Sequence, residues 1–270
     1  MQKFLFKGVY PDLSTNKKHM NLDEYYGQFK QKVTENIEKT LEPAHSFHLI
    51  LTKNRSFVED YDKWIAILDD APETYLYKNA VKVYQEAYGN MLMGLYQPAF
   101  MGLRYFLERT LTGVFYSGNE LELRTWMRGD RDTYWSELIG GQCNSKDEKK
   151  ETNVDSGLFS LKFTRAFFPE ISDAAKSFRS LTAAVYRNCS EFVHGNPDAI
   201  EEIGQTIDFS QKIAQKWNDY ADTIARCILY AFFMRYWNFI KDEQKKEVLE
   251  RVKEEFSTTD TLKDFIDGHG

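Results

Sequence analysis

Residues 172–195, SDAAKSFRSLTAAVYRNCSEFVHG, read as one amphipathic helix with a defined start and stop. At about 100° per residue, Phe178, Leu181, Val185, Cys189 and Phe192 fall on one stripe, the pattern of a helix with a single buried face. Ser172 is placed to cap the first turn, and Gly195 to end the last in a left-handed conformation, with Asn196 and Pro197 blocking continuation. Arg187 and His194 lie nearly opposite the core stripe. They are seven residues apart, close to two full turns, so both project from one face, with Ser180 and Ala183 near it and Ser190 and Glu191 flanking it. Small residues alternating with polar ones there suit the close approach of a second helix.

The same periodicity extends outward in both directions. It predicts helices over Leu22–Leu41, Phe57–Leu68, Glu73 to about Met93, and Pro98 to Gly118, the last with Phe100, Leu103, Leu107, Leu111 and Val114 toward the core. Shorter helices are expected around 120–128 and 132–140, and a long, aromatic-rich one from about Asp208 to Ile240. Residues 46–52, SFHLILT, read as a strand. With FLFKGVY at residues 4–10, they suggest a small α/β or hairpin unit. Residues 140–157 are polar and glycine-flanked, a surface loop. The fold expected is mainly α, a multi-helix bundle over residues 72–240 with a small N-terminal α/β appendage in 1–71. Residues 241–270 are expected to form a charged, solvated C-terminal helix or tail.

Composition limits the function. A formal charge of −6 argues against a chain that coats nucleic acid through a broad basic surface, while leaving room for a small local RNA site. Cys143, Cys189 and Cys227 are few, odd in number and widely spaced, so they are read as free thiols. No apolar run approaches the roughly 18 to 20 residues of a membrane span, and the N-terminus lacks a signal-peptide pattern, so a cytoplasmic protein with no membrane partner is expected. GxxxxGK[ST], GxGxxG and HExxH motifs are absent from the sequence, and His19, His45, His48 and His269 form no ligand spacing. Neither metal nor cofactor is expected.

Two further groups have open readings. Arg124, Arg128 and Arg131, interleaved with Trp126, Tyr134 and Trp135, could present cations and stacking surfaces to RNA. Glu120, Glu122, Asp130, Asp132 and Glu137 would largely neutralise them, and surface ion pairing is the simpler account. Arg104 and Glu108 are spaced i, i+4, most simply an intrahelical salt bridge, alternatively a buttress for the Arg187/His194 helix.

The string YRNCSEFVHG resembles the Arg-polar-x(4 to 6)-His motif of the HEPN superfamily, with Asn188 in the polar position after Arg187, and LRYFLE upstream is similar to the first long helix of such domains. The resemblance covers roughly residues 72–240. It implies a helical bundle that dimerises through its motif helices, and a metal-independent endoribonuclease acting on single-stranded RNA or tRNA through the adjacent 2′-hydroxyl. Arg187 and His194 would then be catalytic, with Asn188, Ser190 and Glu191 in support. An imidazole exchanges protons near neutral pH, and a guanidinium fork fits phosphate oxygens. A toxin or antiviral defence role, with an antitoxin or sensor protein as partner, is implied by resemblance alone. The alternative is a non-catalytic helical module that binds RNA or protein.

Overall fold

The computed structural model describes residues 21–42, 48–140, 156–204, 206–257 and 259–268. Among them the chain is mainly α-helical, with no strand. FLFKGVY and Cys143 lie outside the described residues, as does most of the loop expected over 140–157.

The helices are α1 (Leu22–Thr40), α2 (His48–Ile67), α3 (Thr74–Leu92), α4 (Tyr96–Tyr116), α5 (Glu120–Met127), α6 (Trp135–Ile139), α7 (Leu161–Phe167), α8 (Ala175–His194), α9 (Pro197–Ile203), α10 (Gln211–Tyr236), α11 (Asp242–Phe256) and α12 (Asp260–Gly268), with a 3₁₀ turn over Pro169–Ala174. The expected strand is overturned where it is described: residues 48–52 form the first turns of α2. A short apolar run cannot by itself distinguish a strand from a buried helix. The repeat that continues through Leu51, Phe57, Tyr61, Trp64 and Leu68 is helical, and all five side chains are buried.

Helices α3 and α4, joined by a tight turn through Gly94, pack side by side as a hairpin. Their close approach explains Gly102, where a Cβ would stand 2.5 Å from that of Ala87. Helix α10 lies against α4, α8 and α2. Tyr61 and Trp64 of α2, Tyr77 and Tyr84 of α3, Phe106 of α4, and Phe232 and Tyr236 of α10 form a chain of ring contacts through the interior.

The same core takes in α2 and the C-terminal helices. Residues 241–270 are not merely a solvated tail: Val248, Val252, Phe256, Leu262 and Ile266 are buried in it, because apolar residues recur there at helical spacing among the charges. Arg251 joins α2 and α11 through Asp60 at 3.3 Å and Glu255 at 3.1 Å, and Arg226 of α10 reaches Glu255 at 2.9 Å. Burial pushes the Glu255 carboxyl above the usual range, and the Arg251 and Arg226 guanidiniums oppose that rise. Buried Asn36 of α1 bridges distant segments. Its amide donates to the Met93 and Ile207 carbonyls at 3.0 and 3.3 Å, and its oxygen accepts from Phe209 N at 3.1 Å.

Candidate functional site

Helix α8 begins at Ala175, two residues later than a Ser172 cap would place it. Ser172 is buried inside the 3₁₀ turn, and the N-cap position falls to Ala174, which makes no side-chain cap. Pro169 opens that tighter turn, since its fixed φ suits a first helical position. The other end behaves as expected, with Gly195 at φ 63° and its N–H donating to Glu191 O. Pro197 then opens α9.

The stripe through Phe178, Val185, Cys189 and Phe192 is buried against α4 and α10. Burial pushes the Cys189 thiol up to about 12, despite the lowering influence of Arg104. Three stacked ring pairs fix the rotation of the helix. Phe178 lies on Tyr230 of α10 with centroids 4.0 Å apart, Phe192 on Phe100 of α4 at 3.9 Å, and Tyr186 on Trp135 of α6 at 3.5 Å. Gln97 donates to Phe192 O at 3.2 Å, and Arg179 donates through Nε to Ile139 O at 2.9 Å.

With that side committed, Arg187, Asn188 and His194 are exposed, on a surface strip shared with Ser177, Ser180 and Ala184. Arg187 and His194 share a face, about 10 Å apart along the axis at 1.5 Å per residue. The proposed supporting residues divide. Asn188 lies on the same surface. Ser190 is turned inward, 9% exposed, its hydroxyl donating to Tyr186 O at 2.7 Å, as a serine within a helix commonly does. The Glu191 carboxylate accepts from the Asn196 side-chain amide, closing the end of the helix.

Arg104 and Glu108 do more than bridge one turn of α4. The Arg104 guanidinium donates through Nη2 to the Tyr186 hydroxyl at 2.6 Å and lies 4.7 Å from the centre of that ring, whereas its Nε stands 3.9 Å from Glu108. Burial raises the Glu108 carboxyl above its usual range, against the pull of Arg104 and Arg109. Tyr186 therefore holds α4 and α6 together one residue before Arg187. Spacing along one helix could not reveal this, because the partners lie 51 and 82 positions away from Tyr186.

The arginines considered for RNA contact are engaged within the chain. Arg124 pairs with Glu120 at 2.5 Å, Arg128 with Asp130 at 3.1 Å, and Arg131 with Glu122 and Glu137. One face of Trp135 is taken by Tyr186. Among the described residues no cluster of three or more His, Cys, Asp or Glu side chains could hold a metal, and no helix is long and apolar enough to cross a membrane.

A second group of polar side chains was not apparent in the sequence. It lines a cleft of about 620 Å³ between the α2–α3 turn, the start of α5 and the end of α10. No known family model, curated protein or solved structure matches the chain.

Proposed function

We propose that the protein is a HEPN-type, metal-independent endoribonuclease working from the exposed face of α8. The observation that carries this reading is the placement of Arg187 and His194 together on the exposed side of a helix whose other side is pinned by three stacked ring pairs. A catalytic pair gains from such rigidity, since small displacements weaken stabilisation of a transition state.

In the reaction, the 2′-oxygen of a ribose attacks the adjacent phosphorus and the P–O5′ bond breaks. The products are a 2′,3′-cyclic phosphate and a 5′-hydroxyl end. The 2′-hydroxyl loses a proton and the leaving 5′-oxygen gains one, work suited to imidazoles. Arg187 faces the non-bridging oxygens and offsets the charge that gathers there. One histidine cannot hold both protonation states at once. Two copies meeting through α8 would bring two imidazoles and two guanidiniums to one cleft, and the small residues Ser180 and Ala184 allow that approach. The substrate is single-stranded RNA or tRNA in the cytoplasm. The resemblance further suggests a toxin or defence effector restrained by an antitoxin or sensor protein.

A non-catalytic module that grips RNA or protein on the same face is the second reading. It draws on the open character of this surface: the 620 Å³ cleft is lined by other helices. The two readings separate in one experiment. Wild type, Arg187→Ala and His194→Ala are incubated with tRNA and single-stranded RNA in EDTA. Cleavage lost in both variants supports the enzyme, and equal cleavage by all three removes the site. RNA retained on a filter but never cut selects the binding module.

A further inference from the structure

Six charged residues line the cleft near the α2–α3 turn: Glu120 and Arg124 pair with each other, Asp70 and Lys241 are exposed, and the more enclosed Glu73 and Arg235 form no ion pair with one another. Glu73 is 5% exposed, and its Oε1 accepts one hydrogen bond, from the Tyr236 hydroxyl at 2.7 Å; Tyr236 in turn lies 2.7 Å from the Tyr77 hydroxyl. A carboxylate has about four acceptor positions. Among the described residues Glu73 has no ion pair, and it lies at the N-terminus of α3. Burial, followed by the negative charge of Glu73, raises the Tyr236 hydroxyl well above its ordinary range, so it remains a donor to that carboxylate.

Arg235 lies against the Tyr236 ring, its guanidinium carbon 4.9 Å from the ring centre. Its Nε and Nη2 donate to Ser117 Oγ and O at 2.7 and 2.9 Å, and it has no ion pair among the described residues. Leu68, Leu123, Ile240 and the 69% exposed Phe239 supply apolar wall. A cavity of this size falls within the range of small-molecule sites, which combine apolar walls with a few convergent polar groups.

We infer that this cleft binds a small zwitterion of the α-amino acid class with an apolar side chain, its ammonium group on Glu73, its carboxylate toward Arg235 and its side chain against Phe239 and Ile240. The two opposed charges match the two ends of such a molecule, and a buried carboxylate such as Glu73 is rarely left without a cationic partner, while half-buried Arg235 keeps part of its guanidinium open beside its bonds to Ser117. None of the lining residues belongs to α8, so this inference is independent of the ribonuclease reading.

The test is calorimetric titration of the full chain with L-phenylalanine, phenethylamine and 3-phenylpropionate, which share a ring and differ in charge. Wild type is expected to bind phenylalanine about tenfold or more tightly than either singly charged analogue, the scale of one charge-assisted hydrogen bond. Glu73→Gln keeps an acceptor for Tyr236, and its melting curve verifies folding. This variant should bind phenylalanine no better than 3-phenylpropionate. Equal affinity for all three probes, no heat with phenylalanine at millimolar concentration, or unchanged phenylalanine binding by Glu73→Gln would each overturn the assignment.

Discussion

The contact between Arg104 and Tyr186 offers a quantitative test of how α8 is held. Tyr186→Phe deletes only the hydroxyl and leaves the ring on Trp135. The lost bond is short, 2.6 Å, and comes from a charged donor, the Arg104 guanidinium, on a side chain that is 18% exposed. Hydrogen bonds to charged groups contribute about 1.5–3 kcal/mol. The remaining solvent access of both partners puts the expected loss near the lower end, about 1–2 kcal/mol. Arg104→Met retains the alkyl stem but removes the same bond, the cation above the ring and the counter-charge of Glu108, so its cost should be larger, about 2–4 kcal/mol. Urea unfolding of wild type, both single variants and the double variant closes a thermodynamic cycle. Its coupling energy should be about 1–2 kcal/mol. A coupling below about 0.3 kcal/mol, the level expected of independent sites, would refute the claim that Arg104 supports α8 through Tyr186.

Four further outcomes follow from the packing and the buried charges. Gly102→Ala should destabilise the chain by about 1–3 kcal/mol in the same unfolding assay, since its methyl group would collide with Ala87. Phe192→Ala should cost about 3–5 kcal/mol through loss of its stack on Phe100. Glu108 has a raised folded pKa, so its contribution is fully present below the ordinary carboxylate value and is lost as pH rises through the folded one. The stability of wild type relative to Glu108→Gln should therefore fall over that interval and level off above it, as read by denaturation across pH 3.5–8. Cys189 and Cys227, both pushed to about 12 by burial, should resist alkylation of the native chain at pH 8 and react after unfolding, as peptide mass spectrometry would show.

Helical periodicity carried most of the fold because most of these helices bury one face and leave the other wet. The stripe of α4 was legible residue by residue for that reason; that of α8 was legible in the main, though Leu181 is only half-buried beside fully buried Thr182, and Ala183 turns toward the core while Ala184 takes the open face. The segment at 48–52 misled because its apolar side chains are adjacent, and only the continuation through Tyr61 and Trp64 reveals the longer period. In α11 the dense charge hid a buried row of Val248, Val252 and Phe256. The shared face of Arg187 and His194 depends only on helical geometry and could be read directly. Arg104 as a buttress of α8 was one of two open readings, but its partner Tyr186, like the cleft around Glu73, depends on contacts between distant positions. A single sequence has no local signal for them.

The most direct measurement is the chemistry of the RNA ends formed in EDTA. His194 is exposed, so replacing it with alanine should change stability little, within about 0.5 kcal/mol, and where light scattering shows its assembly state unchanged, a loss of cleavage is assigned to chemistry. Wild type should leave 2′,3′-cyclic phosphate and 5′-hydroxyl ends, and a properly folded His194→Ala protein should leave the RNA intact. Products bearing 5′-phosphates, or the same cyclic ends formed at an undiminished rate by His194→Ala, would contradict the ribonuclease reading.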